Sequence, residues 1–196
     1  MATNTADELR ERCPHCLVRV DSPAEWCQHC GKTFDEQPEV EGPVGLGGWL
    51  ILVGMGLVLG PFFVLGQIAT DLLPVFQEGY WPILTDPASD AYHPMWGPLL
   101  LFELIGNLVQ VTALLVALVL FFQKSSYFPR LHIAIYLGVL AFLILDYWLA
   151  GFIPAVAAES DLEAWALIWR QAVSCLIWVP YMLRSKRVRN TFGWPR

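Results

Sequence analysis

Four long apolar stretches govern what this chain can fold into. They run from about Leu46 to Leu73, Leu99 to Phe122, Leu131 to Ile153 and Ala164 to Leu183. Each is about long enough to cross a ~30 Å hydrocarbon layer at ~1.5 Å per residue. No long alternation of apolar and polar residues competes with a helical reading. Backbone amides in lipid must be paired within their own segment, so the expected fold is all-α, an integral membrane protein with four transmembrane helices. Composition agrees: 56% of residues are hydrophobic and only 15% charged, where a soluble domain has about a quarter charged. The segment before the first stretch opens on polar residues, Met1 to Arg12, so no cleaved signal peptide is expected and the helices themselves carry the targeting information.

Charge placement orients the spans. The loop from Pro74 to Pro98 contains Glu78, Asp86 and Asp90 and no Lys or Arg, and the stretch Pro154 to Glu163 contains Glu159, Asp161 and Glu163. The link between the second and third spans instead carries Lys124 and Arg130. The tail carries Arg184, Lys186, Arg187, Arg189 and Arg196. Basic residues mark the cytosolic side, which puts both termini inside and both acidic loops outside. That assignment requires an even number of spans, as hydropathy independently indicates. Arg184, Lys186, Arg187 and Arg189 then read as a topology anchor able to touch anionic lipid headgroups of the bilayer.

Within the first span, Pro61 removes a backbone donor and is expected to kink the helix. Gly56 and Gly60 form a Gly-x-x-x-Gly pair that lets another helix approach closely and leaves an oligomer open. Tyr80, Trp81, Tyr92 and Trp96, set among five prolines of the first acidic loop, read as interfacial anchors.

Ahead of the spans, residues 1–42 form a separate segment from the membrane domain at 43–196. Here Cys13-Pro14-His15-Cys16 and Cys27-Gln28-His29-Cys30 make two Cys-x2-Cys turns with ten residues between them. Two such turns assemble the tetrahedral sulfur cage that zinc prefers, with no coordination position left open for chemistry. The expectation is a small structural zinc ribbon ligated by Cys13, Cys16, Cys27 and Cys30, with His15 and His29 facing solvent. The alternatives are a redox pair or an iron–sulfur centre, and disulfides are disfavoured in a reducing cytosol. A chain this short buries little core, so the metal should supply most of its folding energy. Before Pro43, nine acidic residues oppose four basic ones. Phosphate binding needs the opposite sign, so nucleic acid is excluded as a partner in favour of a protein. Cys175, alone in the last span, reads as a small buried hydrophobe.

Polar side chains interrupt the apolar spans. Glu103, Asn107 and Gln110 fall at i, i+4 and i+7 and share one face of the second helix. Asp146 lies in the third, Arg170 with Gln171 and Ser174 in the fourth, and Gln67 and Asp71 near the end of the first. Counted from the outer ends at ~1.5 Å per residue, Glu103, Asp146 and Arg170 all lie roughly 6–11 Å deep. Charges at such depth should face the bundle and pair, which suggests Arg170 held between Glu103 and Asp146. The preferred reading of the set Glu103, Asn107, Gln110, Asp146 and Arg170 is a buried polar network that fixes helix register. The alternative is a proton- or solute-handling site open to the outside, but no inverted repeat or paired broken helices support it.

Gly47-Gly48-Trp49-Leu50 at the first helix, and Pro180-Tyr181 followed by Ser185-Lys186-Arg187-Val188-Arg189-Asn190-Thr191-Phe192, carry a family resemblance. Over about Val44 to Phe192 the chain resembles the YdgK-like family, small bacterial inner-membrane proteins catalogued as a domain of unknown function. The resemblance implies a four-helix bacterial inner-membrane fold and hands over no catalytic residues. The cysteine segment is similar to the short zinc ribbons attached to many bacterial membrane proteins. The residues themselves contain no nucleophile–base pair, phosphate loop or open metal site, so an enzyme is not expected. The leading expectation is a membrane accessory or interaction protein whose ribbon docks a cytosolic partner. A small transporter, or a subunit of one, is the alternative.

Overall fold

In a computed structural model the chain divides into two units, Met1–Gly42 and Pro43–Arg196. The structure describes residues 42–158 and 162–193, the backbone alone of Glu163, and in the first unit Gln28, His29 and Gly31. The expected zinc ligands Cys13, Cys16, Cys27 and Cys30, and the charged residues Glu159, Asp161 and Arg196, lie outside the described residues.

The second unit is helical, and four of its helices are long and apolar enough to cross a membrane. Helix α1, Trp49–Gln67, passes into a π-helical turn, Ile68–Leu72, and then into α2, Leu73–Gln77. Together they form the first span. Its start falls three residues later than apolarity alone suggests, because the preceding loop bends at Gly45 and Gly48. Gly48, the residue before α1, sits at φ 62°, which a residue with a Cβ rarely adopts. Pro61 is buried inside α1, and the helix runs through it. The hydrogen-bonding pattern changes at the π turn, a form that occurs mostly as single inserted turns.

The first acidic loop contains a short helix. After Gly79, at φ 81°, comes α3, Tyr80–Thr85. The Phe76 and Trp81 rings stack across the junction at 5.1 Å. Helix α4, Trp96–Phe122, is the second span. Lys124, at φ 52°, turns the chain out of it. Helix α5, Phe128–Ala150, follows at once and holds Pro129 in its first turn, where no intrahelical donor is needed. It therefore begins three residues earlier than expected and ends before Ile153, which is extended ahead of Pro154 as the residue before a proline tends to be. A short α6, Pro154–Ala157, precedes α7, Leu162–Arg184, which carries the fourth span. The basic tail is itself a helix, α8, Lys186–Phe192, capped by the Ser185 hydroxyl accepting from the Val188 amide.

Packing follows chain order: α1 lies on α4, α4 on α5, and α5 on α7. The cluster of buried side chains gathers at the basic end. Leu50, Val53 and Leu57 of α1 meet Ala117 and Phe121 of α4, Phe128 and Ile135 of α5, Met182 of α7, and Val188 and Phe192 of α8. Phe121, Phe128 and Phe192 form a ring triad with centroids 4.7 to 5.9 Å apart. Helix α8 thus uses Val188 and Phe192, four residues apart, as an inward face that closes the bundle. Trp49 meets Trp178 edge to face at 6.2 Å, which brings the first and fourth spans together at this end.

Glycines set two of the helix approaches. A Cβ on Gly106 would overlap the Phe142 ring, so glycine is what allows α4 and α5 to close there. Of the Gly-x-x-x-Gly pair, a Cβ on Gly60 would meet Leu114 of α4 at 3.3 Å, whereas Gly56 faces open space. That spacing therefore serves α1–α4 packing on one residue, not two.

Candidate functional site

At the acidic half of the bundle the polar side chains converge. A cavity of about 290 Å³ is lined by all four spans. The end of the first contributes Gln67 and Asp71, α4 contributes Glu103, Asn107 and Gln110, α5 contributes Asp146, and α7 contributes Arg170 and Gln171. The whole network read from the sequence, Glu103, Asn107, Gln110, Asp146 and Arg170, reaches this one space, whereas Ser174 does not line it. Local geometry explains the gathering. Gln67 closes α1 and Asp71 sits in the π turn. The three α4 residues share a face at helical spacing.

The charges do not bridge. Among the described residues the Arg170 side chain makes no hydrogen bond or ion pair and is exposed, while its carbonyl accepts the Ser174 hydroxyl at 2.9 Å. Glu103 and Asp146 are half-buried, and the Oδ1 of Asp146 is buried without a hydrogen-bond partner. The Asp71 carboxylate accepts the Thr70 hydroxyl at 2.7 Å. The amides spend their donors on backbone: Asn107 Nδ2 donates to the Glu103 carbonyl at 2.9 Å, and Gln171 Nε2 to the Tyr136 carbonyl at 3.0 Å. Cys175, buried as expected, points its thiol at that same Tyr136 carbonyl, 3.3 Å away. Phe142, Leu143 and Leu167 supply the apolar wall. Among the described residues no three His, Cys, Asp or Glu side chains are grouped closely enough to hold a metal ion.

The opposite end is built around a clasp. The Gly45 amide donates to Thr191 Oγ1 at 2.9 Å, and the Thr191 hydroxyl lies 3.3 Å from the Gly45 carbonyl. The Arg187 guanidinium covers Gly47 and Gly48 so closely that a Cβ on Gly47 would come within 2.9 Å of it. Arg184 and Lys186 are exposed beside it, with Arg189 half-buried.

One residue escaped the sequence reading. His132 of α5 is 3% exposed, and neither ring nitrogen has a hydrogen-bond partner. Its ring lies between Phe128, at 5.3 Å, and Tyr136, at 4.7 Å. Its presence as an ionisable side chain inside an apolar span was the available signal.

The fold and its polar interior define a multi-pass helical membrane protein with four spans. The chain belongs to the family described as "Protein of unknown function (DUF2569)", which matches residues 43–193. The match takes in all four spans and α8. No curated protein and no solved structure matches the chain.

Proposed function

We propose that this is a non-enzymatic accessory protein of a bacterial inner membrane, with both termini in the cytosol, that presents a small zinc-bound segment to a protein partner. The observation that carries this reading is the pair of Cys-x2-Cys turns directly ahead of the membrane domain. Four thiolates from Cys13, Cys16, Cys27 and Cys30 are the donor set that saturates tetrahedral zinc, so the metal's part is structural: it folds the segment. The excess of acidic residues there favours a basic protein surface over nucleic acid. The basic residues of α8 and of the α4–α5 link support the cytosolic placement of that end.

The test uses the full-length protein in detergent. Elemental analysis should find about one zinc per chain, and Cys13→Ser should lower it while the helical bundle keeps its melting temperature. A partner captured by the intact chain should be lost from a chain lacking residues 1–42 and from the Cys13→Ser variant. Absence of zinc, iron in its place, or capture indifferent to both changes overturns the reading.

A further inference from the structure

We propose that the polar cavity in the acidic half of the bundle binds a small zwitterion, a solute carrying a primary ammonium and an acid group. Charges share this space without neutralising one another. Arg170 and the carboxylates of Glu103 and Asp146 line the same cavity of about 290 Å³, yet Arg170 makes no ion pair or hydrogen bond to either. In a low-dielectric span, opposite charges left apart are costly, and a guest with complementary ends relieves both.

Hydrogen bonding within the lining defines the ligand's chemistry further. Asn107 and Gln171 commit donors to backbone carbonyls, so the acceptors the lining offers are their side-chain oxygens and the carboxylates of Glu103 and Asp146. That inner wall asks for several N–H groups, as an ammonium provides. The exposed Arg170 offers the opposite: a planar fork of N–H donors with nothing to accept them, which fits a carboxylate or similar acid. A simple cation would leave Arg170 uncompensated, and a simple anion would leave the carboxylates so. A metal ion is disfavoured because, among the described residues, no three His, Cys, Asp or Glu side chains are grouped closely enough to hold one.

Asp146 also lines a second, mainly apolar cavity of about 440 Å³ at the same end, between α5 and α7. The guest can come from two sources, a free amino acid or the ethanolamine headgroup of a phospholipid, since both pair a primary ammonium with an acid. The acceptor-rich wall lies below the helix ends, beyond a headgroup's usual level, and we commit to the free solute.

The experiment is calorimetric titration of the full-length protein in maltoside detergent with glycine, β-alanine and 4-aminobutyrate, alongside methylammonium and acetate. At least one of the three zwitterions should bind, and the two singly charged probes should bind at least about tenfold more weakly. Asp146→Asn and Arg170→Gln should each weaken the zwitterion about tenfold or more, with unliganded melting temperatures close to wild type. The probe comparison on the wild-type chain stands even where a variant fails to fold. Absence of zwitterion binding overturns the proposal, as do equal affinity for a singly charged probe and undiminished binding by both variants. So does stabilisation in phosphatidylethanolamine nanodiscs over phosphatidylcholine nanodiscs with no response to the free solutes.

Discussion

Gln171 of α7 donates its side-chain amide to the backbone carbonyl of Tyr136 on α5 at 3.0 Å, a polar tie between two spans. The Cys175 thiol, one helical turn along, approaches the same carbonyl at 3.3 Å. Interhelical hydrogen bonds inside a membrane are modest, averaging ~0.6 kcal/mol and reaching ~1.7 kcal/mol. Gln171→Leu should therefore cost about 1 kcal/mol, because the thiol remains as a second donor. Combined with Cys175→Ala the loss should exceed the sum of the two single losses. Thermal unfolding in detergent of the three variants measures this coupling.

His132 leads to the opposite sign. A buried imidazole with two unbonded nitrogens has lost its hydration without recovering a partner. His132→Phe keeps a ring between Phe128 and Tyr136 and removes the unbonded polar atoms. Its melting temperature should equal or exceed that of wild type. A clear drop would mean that the imidazole has a partner in the native membrane.

Gly106→Ala tests the closest approach in the bundle. The added methyl would overlap the Phe142 ring, and overpacking of this kind typically costs about 1–3 kcal/mol. Trimming the obstacle with Phe142→Leu in the same chain should restore much of the loss. The double-mutant comparison is read from urea or thermal unfolding, and strict additivity would show that the two side chains do not compete for space.

Orientation is open to labelling in intact cells. Cysteines placed at the exposed positions Asp86 and Lys186 should differ: the first reactive toward a membrane-impermeant maleimide, the second protected until the membrane is opened. The expectation follows from the basic residues of α8 and the acidic loop after α2. External labelling at Lys186 would reverse the orientation.

The four spans were legible because a ~20-residue apolar run has few other uses in a folded chain. Their ends were not, because hydropathy cannot weigh Gly48 at positive φ against Leu46, or see that Pro129 suits a first helical turn. The convergence of Glu103, Asp146 and Arg170 on one space followed from counting their depth. Their failure to pair depends on side-chain rotamers, which no periodicity records. The π turn at Ile68–Leu72 left no mark in the sequence, although it holds Asp71. His132 was visible as an ionisable residue among apolar neighbours, whereas its sandwich between two rings required the fold.

The clasp between Gly45 and Thr191 makes the membrane domain topologically a closed circuit, its first and last residues lying side by side on one face. Such a domain can be spliced as a cassette: whatever precedes residue 43 or follows residue 193 joins it at the same doorway, and no span need move to admit it. Joining those ends and opening the chain at Asp86–Asp90 should yield a permuted domain with the same helix neighbours.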